Sequence, residues 1–230
     1  MDELSLIQRL VALVVPLILA ITVHEAAHGY VADRLGDRTA RLLGRITLNP
    51  INHIDLVGTI LVPLAMYSIT ALASGGTGFL FGWAKPVPVN PRNLRNPRRD
   101  MAIVAAAGPL SNLLMAFLWS IAMLVGAWLL PISAWVGMPL VFTGAAGVLI
   151  NVVLLVLNMI PLPPLDGGRV LVGVLPHALA RVVARIEPYG LFILVALLVS
   201  GTLGSILGPV IDHTIRLLPG SSIVLAIFHS

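Results

Sequence analysis

Five stretches of this chain are apolar and long enough to enter a lipid bilayer, and nothing else in the sequence limits the fold as much. They run over residues 5–28, 54–73, 101–130, 138–160 and 190–211. Backbone polar groups in hydrocarbon must be satisfied within the protein, so such stretches predict helices and an all-α polytopic membrane protein. Only 10% of the residues are charged, against about 25% in soluble domains. The first residues, MDELSLIQRL, open with acids, and the apolar run after them leads into TVHEAAH without a small-residue cleavage site. The first stretch is therefore expected to be a retained helix and not a removable signal. Neither a sequence repeat nor a low-complexity tract interrupts the chain.

The formal charge is +4, which invites a nucleic-acid partner. No basic stretch is interleaved with aromatic residues, so no nucleic-acid binding is expected. The positive charge has a membrane explanation, because basic residues collect in cytoplasmic segments. Arg34, Arg38, Arg41 and Arg45 lie in one polar segment, and Lys85, Arg92, Arg95, Arg98 and Arg99 lie in a second. Arg169, Arg181 and Arg185 follow the fourth apolar stretch, while the connector at 131–137 has no basic residue. With all three basic segments cytoplasmic, stretch 54–73 has cytoplasmic flanks on both sides. It is expected to re-enter or form a hairpin, with Pro63 inside it and SGGTG after it. The proline-rich segment WAKPVPVNPRNLRNPRRD is expected to be extended structure at the cytoplasmic surface.

Against this apolar background, residues 22–30 read TVHEAAHGY. Ionisable side chains at bilayer depth are costly and point to function. HEAAH fits the HExxH pattern: on a helix, His24 and His28 face the same way and can share one zinc ion. Glu25 beside them is suited to take a proton from water activated at the metal. There are no cysteines, so further ligands must come from His, Asp or Glu.

Catalytic zinc takes three protein ligands and leaves one position open. His177, His213 and His229 are better read as solvated or interfacial histidines, while His53, which forms a local constellation with Asp55, could lie near the metal. The acids on offer are Asp55, Asp100 and Asp166. Asp166, in NMIPLPPLDGGRV, reaches the depth of the histidine pair if stretch 54–73 does not cross, because the fourth helix then ends on the cytoplasmic side. Gly167 and Gly168 are expected to allow a tight turn after it. Asp55, in NPINHIDLVGT, is expected to cap the helix that follows.

Taken together, HEAAHGY at 24–30, GPLSN at 108–112 and NMIPLPPLDG at 158–167 resemble the site-2 proteases, zinc metalloproteases that cut peptide bonds inside the membrane. The chain is similar to compact bacterial members without a PDZ domain. The resemblance spans about residues 5–185 and implies a single integral membrane metalloprotease domain over 1–230, with a C-terminal helix and tail at 186–230. It also implies one Zn²⁺ held by His24, His28 and Asp166, with Glu25 as general base. Asn158 would stabilise the oxyanion or hold the substrate, and Asn112 and Gly167 would have substrate or structural roles.

The function expected from the resemblance is cleavage of transmembrane segments of other membrane proteins, as in regulated intramembrane proteolysis. The partners are a transmembrane protein substrate and the lipid bilayer, and the active site lies toward the cytoplasmic side of the cell membrane. The rival readings are a metal or proton transporter and a non-catalytic scaffold. A transporter needs a polar path to both faces, whereas here the ionisable residues gather at one end. The oligomeric state stays open, since the small residues at 105–112 and 201–208 suit packing within one chain or between chains.

Overall fold

The computed structural model describes residues 6–62, 64, 65, 67, 68, 72, 82 and 84–228, and among these it is helical with no strand. Three helices are long and apolar enough to cross a membrane: α1 (Leu6–Arg34), α3 (Pro97–Leu129) and α4 (Ala134–Asn158). Their 29, 33 and 25 residues make rods of about 43, 50 and 37 Å at 1.5 Å per residue. Each exceeds the roughly 30 Å hydrocarbon core. A short helix, α2 (Thr39–Leu42), follows α1.

Helix α3 starts four residues before its apolar stretch does. Pro97 occupies the first turn, where its missing N–H costs nothing, and Asp100 Oδ2 reaches back to accept from the Asn96 backbone N–H at 2.8 Å. Hydropathy registers neither signal. Helices α3 and α4 then form an antiparallel hairpin, the most extensive packing in the molecule. Small residues let the two rods approach closely. A Cβ at Gly144 would strike Met123, and one at Gly147 would enter the Trp119 indole.

The fifth apolar stretch is not one helix. It is divided between α7 (Glu187–Val199) and α8 (Thr202–Arg216), and Gly201 between them has φ +73. That left-handed conformation is natural only for glycine, and it ends α7 before a span is complete. Alone, α7 and α8 reach only about 20 and 23 Å. Helix α7 follows α6 (His177–Ala184) across a bend of 61°, and this pair reaches spanning length only if counted as one element. With 54–73 expected not to cross, four of the five apolar stretches were expected to span; among the described residues three helices do so by length and hydropathy, or four if the bent pair is one span. Between α4 and α6 lies α5 (Asp166–Val174), and the chain closes with α9 (Ser221–Phe228).

The core sits between α3 and α4, where Met123, Val141, Val148 and Val152 are buried together with Ile215 of α8 and Val224 of α9. By contrast, Leu10–Leu19 of α1 and much of α3 from Leu110 to Trp128 keep large apolar side chains exposed. Such surfaces suit contact with lipid, the normal environment of a spanning helix.

The two polar segments that flank stretch 54–73 lie against each other. Lys85 donates its backbone N–H to the His53 carbonyl at 2.9 Å, and Arg45 Nη2 donates to the Lys85 carbonyl at 2.9 Å. Farther along, Asn90 N and Asn93 Nδ2 both donate to the buried Asp37 carboxylate. The chain thus leaves at His53 and returns to the same place at Lys85, as expected for a stretch that does not cross once. Residues 56–61 form a short π-helical turn. Pro63, most of 69–81 and the SGGTG cluster lie outside the described residues, so whether the stretch is a re-entrant segment or a hairpin lies outside them too.

The expected extended structure at 84–90 has neither helix nor strand, and a 3-10 turn follows at Pro91–Asn93.

Candidate metal centre

Helix α1 continues past the apolar run to Arg34, so both histidines of HEAAH sit on regular helix, one turn apart. Their rings meet edge to face, with centroids 4.6 Å apart and planes at 87°. The two Nε2 atoms are 3.0 Å apart. Asp166, the first residue of α5, brings its Oδ2 to 3.2 Å from His24 Nε2 and 3.3 Å from His28 Nε2. The structure brings together the three residues expected as metal ligands, from opposite ends of a 142-residue interval (166 − 24).

The partners of the far ring nitrogens decide what the near ones can do. His28 Nδ1 lies 2.7 Å from the Val104 carbonyl. A carbonyl only accepts, so Nδ1 carries the proton and a neutral His28 has its lone pair on Nε2. His24 Nδ1 donates in the same way to Asn112 Oδ1 at 2.5 Å. The three converging atoms are then all lone-pair donors, and Asp166 Oδ2 is buried without a hydrogen-bond partner. Only a cation among them makes the arrangement attractive.

Zinc fits this arrangement. Tetrahedral zinc with bonds near 2.0–2.1 Å sets its ligand atoms about 3.3 Å apart, and the observed separations are 3.0, 3.2 and 3.3 Å. Histidine nitrogens with one carboxylate oxygen, each histidine anchored through its other nitrogen, are the donor set that a catalytic zinc takes.

Backbone closeness makes the site possible. A Cβ at Gly108 of α3 would collide with both imidazoles, so only glycine lets α3 pass the pair. Gly167 and Gly168 do a similar job at the start of α5. A Cβ there would strike Met159 and Ile160, or Pro163, of the preceding turn. Neither has positive φ, so close approach and not turn geometry is what demands glycine at these positions.

Glu25 is not one of the three converging groups. Its Oε2 accepts from the Val87 backbone N–H at 2.7 Å. Val87 lies between Pro86 and Pro88, which have no N–H, so it is the one backbone donor of that tripeptide.

The remaining candidates are dispersed. Asn112 is fully buried and touches His24, which makes it a partner of a ligand-capable histidine. Asn158 turns its Nδ2 back to the Leu154 carbonyl of its own helix at 2.9 Å and makes no described hydrogen bond to the histidines. His53 is buried and donates Nε2 to the Thr47 carbonyl. Asp55 accepts from Gly58 N at 2.6 Å, the expected cap. His177 and His213 are exposed, and His229 lies outside the described residues.

Two contributors escaped the sequence reading, the Val87 N–H and Asn151, and Gly108 was noticed only as the first residue of GPLSN, without its steric role. Asn151 left a signal, an amide inside the apolar run GVLINVVLLVL.

The model for peptidase family M50 matches residues 131–201. A Bacillus subtilis protein named "Putative zinc metalloprotease YwhC" is 37% identical over 208 residues, covering 87% of this chain and 85% of the relative. Rip2 of Mycolicibacterium smegmatis, which carries the same description, is 30% identical over 186 residues, covering 81% of this chain and 66% of its own. Rip2 of Mycobacterium tuberculosis is 30% identical over 190 residues, with the same coverage. No solved structure matches the chain.

Proposed function

Because this chain belongs to peptidase family M50 and is a multi-pass membrane zinc metalloprotease, we propose that it hydrolyses peptide bonds within transmembrane segments of other membrane proteins. The observation that carries the reading is the meeting of His24 and His28 on the spanning helix α1 with Asp166 at the start of α5, among helices whose outer faces are apolar.

In this reading His24 Nε2, His28 Nε2 and Asp166 Oδ2 hold the zinc. When bound, zinc supplies a Lewis acid that lowers the pKa of water to about 7 and polarises the scissile carbonyl. Glu25 is the general base. Its Oε2 is held by Val87 N–H, so Oε1 is the oxygen that takes the proton from the attacking water and later passes it to the leaving amine. Asn158, at the end of α4, donates Nδ2 to the developing oxyanion after turning from the Leu154 carbonyl. The substrate helix must unwind first, because its own hydrogen bonds occupy the scissile carbonyl. The irregular backbone at 159–165 gives the unwound strand a place beside Asp166. With the basic segments cytoplasmic, cleavage falls near the cytoplasmic side.

The test is to purify the unsubstituted protein and Glu25→Gln in detergent, measure bound zinc, and map cleavage of a model transmembrane substrate by mass spectrometry. One zinc per chain in both, with cuts inside the apolar segment from the unsubstituted protein only, is the expected result. Equal cleavage by both proteins, or cuts confined to flanking loops, overturns it.

A further inference from the structure

The buried amide of Asn151 has no place in the mechanism above, yet it is fully enclosed in the apolar hairpin of α3 and α4. Its Nδ2 lies 2.8 Å from the Gly147 carbonyl, and its Oδ1 lies 3.0 Å from Asn112 Nδ2. Asn112 Oδ1 in turn lies 2.5 Å from His24 Nδ1. Four groups on three helices therefore form one line, Gly147, Asn151, Asn112 and His24.

An amide can be turned end for end, so each link alone leaves donor and acceptor undecided. The line as a whole has one direction only. The Gly147 carbonyl can only accept, which makes the nearer atom of Asn151 its NH₂. Oδ1 of Asn151 is then left facing Asn112, and it too can only accept, so Asn112 presents its NH₂ to Asn151 and its Oδ1 to His24. An acceptor at His24 Nδ1 requires the proton there and leaves the lone pair on Nε2. Reversing any member would set two acceptors against each other, and both amides are fully buried.

We propose that Asn151, acting through Asn112, is a positioning residue that holds His24 as the Nδ1–H tautomer and so turns its Nε2 lone pair toward His28 and Asp166. The proposal rests on the reading of His24 as a ligand only for its consequence. The tautomer itself is a property of the metal-free protein. His28 needs no such line, because the Val104 carbonyl fixes it directly.

The experiment uses full-length, metal-free protein in detergent with ¹⁵N-labelled histidine, the His24 signals being identified by their loss in His24→Gln. The ring nitrogen shifts report which nitrogen carries the proton. In the unsubstituted protein His24 should carry its proton on Nδ1, and an Nδ1 without a proton overturns the proposal whatever the variants do. In Asn151→Leu the amide of Asn112 is free to turn, so His24 should become a mixture of tautomers. Cobalt affinity, measured by chelator competition, should fall about 10-fold or more.

Adding Asn112→Asp to Asn151→Leu should restore the single tautomer. A carboxylate presents an acceptor whichever way it turns and needs no orienting partner. A purely packing role for Asn151 predicts no such rescue, and an unrescued double variant overturns the proposal. Unsubstituted protein that keeps Nδ1–H but takes up no metal would sink the metal reading and leave the tautomer assignment standing.

Discussion

Val87 donates its backbone N–H to Glu25 Oε2 across 2.7 Å, though the two residues are 62 apart in sequence. The contact fastens one oxygen of the proposed base and fixes the direction of the other. Val87→Pro removes the donor and Val87→Ala keeps it. The proline variant should retain its zinc and lose on the order of 100-fold in turnover, as a misdirected catalytic group does. The alanine variant should stay within a few-fold of the unsubstituted rate. Similar rates in the two variants would show that the N–H does not aim Glu25.

Gly108→Ala places a methyl group against both imidazoles. The helices must part or the rings must turn, and either change spoils the ligand set. Metal analysis after dialysis should find the variant almost empty beside a fully loaded control, with its helical content unchanged. A variant that keeps one zinc per chain would mean that α3 has more room there than the structure shows.

Asp37, just beyond the membrane-spanning part of α1, ties the chain after α1 to the chain before α3. Burial pushes its carboxyl up, but hydrogen bonds from Thr39, Asn93 and Asn90 outweigh this and hold it below the ordinary carboxylate range. The folded protein thus binds the proton more weakly than the unfolded chain does. The stabilisation is complete above about pH 4 and is lost as pH falls through the folded value. Asp37→Asn should cost about 1.5–3 kcal/mol at pH 7. In thermal melts at successively lower pH, the gap between variant and parent should close below about pH 4. A gap that stays constant into acid would assign the effect to shape and not to charge.

The absence of cysteine makes the topology directly testable. Leu43→Cys and Arg95→Cys lie in the two basic segments, and Ile132→Cys lies in the α3–α4 connector; all three positions are exposed. Membrane-impermeant thiol reagents should reach the first two from the cytoplasm and the third only from outside. Labelling of 43 and 95 from opposite sides would contradict the hydrogen bonds that join their segments.

What the sequence disclosed and what it hid divide along physical lines. His24 and His28 were visible because helical spacing alone brings them together, and Asp166 because charge placement fixed its depth. The long helices were visible because hydropathy reports them. The break at Gly201 was not, since an apolar average does not register a single left-handed residue. Gly108 was visible only as the first letter of GPLSN, and its steric role was not, because the need for glycine there comes from imidazoles 80 or more residues away (108 − 28). The Val87 N–H belongs to the backbone and has no letter in the sequence. Asn112 was noticed for its motif, but its contact with His24 depends on how α1 and α3 cross. Asn158 was noticed as well, yet its amide stays with Leu154.

The hydrogen bond from Lys85 N to the His53 carbonyl has a further consequence. Because Lys85 is fastened to His53 and Val87 follows two residues later, the place at which Val87 meets Glu25 is set from the 53 side of the neck as well as by the chain that follows. The neck and the proposed base thus share one mechanical reference, and a change at either end is felt at the other.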